Sequence, residues 1–335
     1  MIRVAVDAMG GDYAPDEMIR GAVEAVNRND NIAVLLVGQE QIIRQKLTEY
    51  TYPADRIQIV NATEVISNDE VPTLAIRRKK DSSIVVGMNL VKSGEADAIV
   101  SCGSTGAVLV GGQAIVGRLP GIKRPPLAPL VPTVEGVSLL IDCGANVDAR
   151  AEHLVQFARM GSIYMRDVMG IEKPRVALVN IGAEEEKGNA LVKETMPLLK
   201  ECEDIYFIGS IEARDIPYGK ADVIVCEAFV GNVILKLYEG VGSALIQEIK
   251  KAMLSSTRGK MGALLAKPSL KNVVRKFDSS EYGGAPLLGL HRLVVKAHGS
   301  SNHKEVCNAI LQCETFARQQ ISEKIKTCIQ AEGKE

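Results

Sequence analysis

A chain of 335 residues, 46% hydrophobic and 24% charged, can bury a large core and has the balance of a globular protein, which excludes a disordered or fibrous one. Its net charge of −1 excludes the general basic field of a nucleic-acid binder, so an electrostatic partner has to be met by a local patch. Seven cysteines without a C-x-x-C pair suit reduced, buried thiols in the cytoplasm and argue against a disulfide framework or a metal site. The start carries no basic-then-apolar leader, and no apolar run nears the ~20 residues of a spanning segment.

The run Ile2–Val6 reads as a first strand that breaks into VDAMGGDYAP. Open α/β sheets bind ligands at the carboxyl ends of their strands, and Gly10 and Gly11 would let backbone approach a ligand there. Asp7 and Asp12 flank this turn as candidate catalytic or orienting carboxylates, and Pro15 with Asp16 and Glu17 suits a helix start. A carboxylate directly against phosphate would be repulsive, so neither Asp is expected to be a primary phosphate ligand. Further strands are expected at Ile32–Val37, Ile57–Val60 and Ala98–Val100, with helices at Pro15–Asn29, Gln39–Glu49 and a pair within Thr73–Lys92. This alternation implies a largely parallel sheet.

Ser101-Cys102-Gly103-Ser104-Thr105-Gly106 follows a strand and opens a helix. Small residues and hydroxyls at a helix start leave amides facing outward with a favourable dipole, so Ser104, Thr105 and Gly106 are candidate phosphate binders. A plain Ser/Thr cap is the simpler alternative, but it needs only one of them. The proline-rich LPGIKRPPLAPLVPT cannot be regular throughout. Leu127–Val131 and Val137–Ile141 then read as a hairpin, adding an antiparallel element.

Asp142-Cys143-Gly144-Ala145-Asn146 ends that hairpin, and Asn146 is either a ligand-binding amide or a turn residue. A helix at Arg150–Val168 and a strand at Arg175–Asn180 lead to NIGAEEEKGN, followed by a helix at Gly188–Lys200. The acids Glu184 to Glu186 read as a solvated first turn, whereas Lys187 beside Gly188 and Asn189 is placed to reach an anion. Strands near Ile205–Ile208 and Asp222–Cys226 precede a long helix from Asn232 to about Met253, which Asn232 either caps or serves from as a catalytic amide. Glu227 is costly to bury unpaired, so it is solvated or partnered. Two short strands, near Leu287 and at Leu293–Lys296, come before a final helix from Asn302 to about Ile329. His298, after the second of these, has a pKa convenient for proton transfer, although a histidine at a turn is more often structural.

Ile249–Phe277 differs in character. Arg258, Lys260, Lys267, Lys271 and Arg275 are interleaved with Met261, Leu264, Leu265 and Leu270, with no acid among them. A helical hairpin packed on the core, with a solvated basic face, would explain the pattern; so would a basic amphipathic tip for an anionic membrane or an acidic protein. There is no G-x-G-x-x-G after the first strand and no P-loop motif, which disfavours a dinucleotide dehydrogenase or P-loop kinase.

VDAMGGDYAP, SCGSTGA, LIDCGAN, NIGAEEEKGN and CEAFVGNVILKLYEG, in this order and across nearly the whole chain, resemble the phosphate acyltransferases of bacterial phospholipid synthesis, the PlsX family. The resemblance implies a single α/β unit, three-layered and mostly parallel with some antiparallel strands, similar to the isocitrate-dehydrogenase and phosphotransacetylase folds. It implies transfer of a fatty acyl group from acyl carrier protein to inorganic phosphate, without cofactor. The acyl phosphate would pass to a glycerol-3-phosphate acyltransferase for phosphatidic acid, with the enzyme a homodimer in the cytoplasm and in peripheral contact with the membrane. An NAD(P)-dependent dehydrogenase of similar fold is the alternative enzyme, and a membrane-binding scaffold the alternative without catalysis.

Overall fold

The computed structural model describes residues 1–184, 186–277 and 279–332. Glu185, within the acidic triplet, lies outside them. In chain order the first stretch holds β1 (Ile2–Asp7), α1 (Asp16–Arg28), β2 (Ile32–Gly38), α2 (Glu40–Leu47), β3 (Ile57–Asn61), α3 (Pro72–Arg78), α4 (Ser83–Ser93), β4 (Ala98–Ser101) and α5 (Thr105–Gly111). Then come β5 (Leu130–Thr133), β6 (Gly136–Ile141), α6 (Ala151–Asp167), β7 (Arg175–Val179), α7 (Ala190–Glu201), β8 (Tyr206–Ile211) and β9 (Val223–Val225). The chain continues through α8 (Ala228–Leu254), α9 (Thr257–Lys276), β10 (Ala285–Leu287), β11 (Leu293–Lys296), α10 (His303–Arg318) and α11 (Ile321–Glu332).

The sequence suggested one α/β unit; the chain forms two compact ones, each with its own sheet. The first comprises Met1–Pro129, Arg159–Lys173 and residues from Ser280 on, the second Leu130–Ala158 and Pro174–Ser279. The first sheet has the order β10-β11-β4-β1-β2-β3, parallel except for the β10 edge. Its middle strands are apolar on both faces and fully buried, as at Val4–Val6, Ala98–Val100 and Leu293–Val295, because helices cover both sides of a parallel sheet. The second sheet has the order β5-β6-β9-β7-β8. Only β5 runs antiparallel, paired with β6 across a tight turn.

Several sequence expectations shift. The hairpin strand starts at Leu130, not Leu127, because Leu127 instead bridges to Leu287, the last residue of β10. The terminal helix is two helices, broken where Gln320 takes φ 53°. The helical hairpin turns at Ser255 and Ser256, and α9 runs through Pro268 with Ser256 as its cap. Between Ala228 and Gln247 the only charges are Lys236 and Glu239, paired at 2.8 Å. By length and composition α8 is therefore apolar enough to cross a membrane, which the run-length reading missed because those two charges interrupt it.

Candidate functional site

In the first unit, β1, β4 and β11 are neighbouring parallel strands, so their carboxyl ends form a row of Asp7, Ser101 and Lys296; Lys296 pairs in register with Ser101. All three are buried, Asp7 to 1% exposure and Lys296 to 8%. The Ser101 hydroxyl donates to Asp7 Oδ2 at 2.7 Å and accepts the Gly103 amide at 3.1 Å, joining the first loop to the second. Met9 N donates to Asp7 Oδ1 at 3.2 Å. Burial lifts the Asp7 carboxyl above its usual range, against the opposing pull of Ser83, Ser101, the Met9 amide and the Lys296 charge. The Lys296 ammonium donates to the Ala297 carbonyl.

Gly10 and Gly11 are required here by close approach between loops. A Cβ on Gly10 would stand 2.2 Å from Asp7 Oδ2 and 2.7 Å from the Gly103 nitrogen. Gly11, at φ +106°, would meet the Cys102 Cβ at 2.9 Å and the Gly299 carbonyl at 3.0 Å. The Asp12 amide donates to that same carbonyl at 2.7 Å, while the Asp12 side chain is exposed. Three loops, from β1, β4 and β11, are thus packed into one cluster. Glu17 strengthens it by accepting from the backbone amide of His303 and pairing with its Nδ1 at 2.8 Å, which ties the start of α1 to that of α10. His298 is exposed at the rim, its Nδ1 2.7 Å from the Ser300 hydroxyl.

Ser104 caps α5, accepting the Ala107 amide at 3.5 Å. Its own amide and those of Thr105 and Gly106 precede the first intrahelical bond, Val108 N to Ser104 O. The cap and the outward amides therefore coexist. Burial pushes the Cys102 thiol up to about 12, and Cys143 and Cys226 well above their ordinary value. None of these is a thiolate nucleophile.

In the second unit, β6, β9 and β7 are also adjacent and parallel, and carry the loops that begin at Asp142, Cys226 and Asn180. Asp142 is fully buried; it accepts the Asn146 amide group at 2.7 Å and the Ala145 backbone amide at 3.2 Å. The Asn146 side chain is thus turned onto its own loop. Gly231 passes so close that a Cβ would lie 1.9 Å from the Asp142 carbonyl. Asn232 does not cap α8. That role belongs to Glu227, which accepts from Phe229 N at 2.6 Å and Val230 N at 2.9 Å, so α8 starts four residues early and Asn232 lies exposed on its second turn. Asn189 caps α7 through Val192 N at 2.9 Å, so that helix begins at Ala190, not Gly188. Lys187 is exposed and paired with Glu184 at 2.8 Å, its backbone carbonyl accepting from Asn180.

Sequence reasoning left Ser101, Asp142 and Asn180 without individual roles, and gave Lys296 only a share, with His298 and Ser300, in an oxyanion-friendly helix start. Their signal was present: each is a polar residue closing or directly following an apolar strand. Among the described residues no group of three or more His, Cys, Asp or Glu side chains could hold a metal ion.

Loop clusters at strand carboxyl ends, with helix starts among them, are where open α/β enzymes bind their ligands. Residues 2–324 match the model of the family described as "Fatty acid synthesis protein". The chain is 49% identical over 323 residues to a phosphate acyltransferase of Clostridium botulinum (strain Loch Maree / Type A3), covering 96% of each. With that of Alkaliphilus oremlandii it shares 48% over 332 residues, 99% of this chain and 98% of the other. A phosphotransacetylase from Streptococcus pyogenes has a similar fold, with a TM-score of 0.66 at 17% identity over 95% of this chain and 94% of its own. The chain belongs to the phosphate acyltransferase (PlsX) family of fatty acid synthesis proteins and is an acyltransferase. The dehydrogenase alternative gives way to that membership.

Proposed function

We propose that this enzyme moves a fatty acyl group from the thioester of an acyl carrier protein to inorganic phosphate. A phosphate oxygen attacks the thioester carbonyl, the C–S bond breaks, and the carrier thiolate takes up the proton that phosphate gives up. Phosphate is already an anionic nucleophile and the thiolate a good leaving group, so the protein has only to position and to stabilise the developing oxyanion. The observation that carries this reading is the buried Asp7–Ser101–Lys296 row beside the outward amides of α5. It gives the reading a cation and backbone donors in one loop cluster.

In this proposal Ser104, Thr105, Gly106, Gly10 and Gly11 offer backbone and hydroxyl donors to phosphate. Asp7 and Asp12 orient the loops, and His298 supplies a further polar group at the rim. In the second unit, Lys187, Gly188, Asn189, Asn146 and Asn232 are the candidate anion-binding and catalytic groups of that unit's own loops and helix starts. The acyl phosphate product is consumed by a glycerol-3-phosphate acyltransferase on the way to phosphatidic acid. The hairpin of α8 and α9 exposes Met261, Leu264 and Leu265 among Arg258, Lys260, Lys267, Lys271 and Arg275, which suits reversible contact of a cytoplasmic enzyme with anionic lipid. Phe229, Val233, Leu237, Val241 and Leu245 leave α8 with a further exposed apolar stripe, which a second copy of the chain would cover in a homodimer.

The test is an assay of the purified enzyme with acyl-carrier-protein thioester, with and without inorganic phosphate. Acyl phosphate, trapped by hydroxylamine, is expected in equal amount to freed carrier thiol and only when phosphate is present. Thioester loss independent of phosphate would overturn the reading. Lys187→Ala or Ser104→Gly, which keeps a tolerated residue at the helix start, is expected to lower phosphate-dependent turnover about 10²-fold or more with little loss of fold; near-normal turnover in folded variants removes the residue from the site.

A further inference from the structure

Resting on the proposed carrier-protein donor, we infer that α3 and its flanks are the surface on which the acidic carrier protein docks. Arg77-Arg78-Lys79-Lys80 is the longest run of consecutive basic residues in a chain of net charge −1. The four are used differently. Lys79 is half-buried and spent on the fold, donating to Glu70 Oε1 and to the Val65 carbonyl, both at 2.7 Å. Lys80 reaches back to the Ile76 carbonyl at 3.3 Å. Arg77 and Arg78 are exposed, and among the described residues neither has an ion-pair partner. Two nearby carboxylates are already engaged: Glu70 by Lys79, and Asp81 by the amide and hydroxyl of Thr63.

The same helix face is apolar in its first turn. Leu74 is 44% exposed and Val71, just ahead of the helix, 58%, while Ala75 and Ile76 turn inward and are buried. Leu74 stands at i−3 and i−4 from Arg77 and Arg78, so the leucine and both guanidiniums are neighbours on one surface. An apolar contact ringed by unopposed arginines fits an acidic amphipathic helix, because guanidinium binds carboxylate in a two-point fork. Placement supports the assignment. Pro72, the first residue of α3, abuts Gly106, two residues beyond Ser104; a Cβ on Gly106 would be 2.5 Å from the proline Cγ. After α3 the chain reaches Ser83, which stands close enough to the Asp7 carboxyl to pull its pKa down. Arg77 lies only about 7–8 Å of helix from Pro72, so a carrier seated on α3 presents its thioester arm beside the first unit's loop cluster. The hairpin tip, with its continuous exposed leucines, has the character of a lipid contact instead.

The test uses the full-length double variant R77E/R78E and two acyl donors: the carrier-protein thioester, and the same acyl group on free pantetheine, which has no protein surface. KM for the carrier-protein donor is expected to rise about tenfold or more and the salt dependence of its kcat/KM to fall, while kcat/KM for the pantetheine donor stays unchanged. Leu74→Ala is expected to raise the same KM alone, and the milder R77Q/R78Q variant, with a wild-type melting midpoint, checks that folding is not the cause. Equal loss with both donors, no change with either, or loss of anionic-vesicle binding with unchanged carrier KM would each overturn the dock. Wild-type enzyme that turns over acyl-pantetheine but never the carrier thioester would overturn the donor reading itself, a result distinct from a failed α3 variant.

Discussion

Asp7 shows how one residue is both legible and incomplete in a sequence. An Asp closing a buried strand before two glycines marks a ligand loop, but the hydroxyl that donates to it belongs to Ser101, far away in the chain. Because burial raises its pKa above that of the unfolded chain, folding favours the protonated form. The associated stability is present below the ordinary carboxylate range and is lost as pH rises through the raised value. Asp7→Asn removes that titration. Its urea midpoint relative to wild type is therefore expected to climb as pH rises from the ordinary carboxylate range through the raised value, while its turnover falls. A flat difference across that range means that the carboxyl is not desolvated; wild-type turnover in both Asp7→Asn and Asp12→Asn means that the loop is structural.

At the scale of elements, the hairpin of α8 and α9 is the part of the fold least explained by packing. Among the described residues α9 buries none of its side chains, and Leu264 and Leu265 are 71% and 80% exposed. An apolar side chain gains about 25 cal/mol per Å² on leaving water, so these leucines have more to gain from a lipid surface than they contribute to the isolated fold. Replacing both by Glu is expected to leave the melting midpoint and acyl transfer intact and to abolish flotation with anionic vesicles. Unfolding of the variant would make the stripe core, and persistent flotation would place the lipid contact elsewhere. Burial also separates the two basic segments: the cations of α9 accompany exposed leucines along a helix, those of α3 flank a single one.

For the whole molecule, the cysteines offer a simple check. Five of the seven, Cys102, Cys143, Cys226, Cys307 and Cys313, are buried, and Cys202 and Cys328 are half-buried. All are free thiols. Burial raises the thiols of Cys102 and Cys307 to about 12 and about 11, which suppresses thiolate at neutral pH. Titration with an aromatic disulfide reagent is expected to find no more than two slowly reacting thiols in the native protein and all seven after denaturation. Rapid reaction of a third native thiol would contradict the core.

Periodicity and punctuation in the sequence determined most strands, most helices and the loops that end at strand carboxyl ends. Val4–Val6, Ala98–Val100 and Leu293–Val295 are legible because a buried parallel strand has no polar face to hide. The family motifs VDAMGGD, SCGSTG and DCGAN were legible because glycine and hydroxyl residues at strand ends have few other uses. What the tertiary structure alone decided was which of these ends stand together. Strand order is not written in spacing: β4 and β11 are neighbours although nearly two hundred residues separate them in the chain. The glycines of the first loop also make room for Gly103, Cys102 and Gly299, a close approach that spacing along the chain does not show. Caps moved for the same reason: Glu227 has the reach to take two amides at the head of α8, a contest with Asn232 that only the placed backbone settles. Local chemistry sets what a segment can be, and long-range burial sets what it faces.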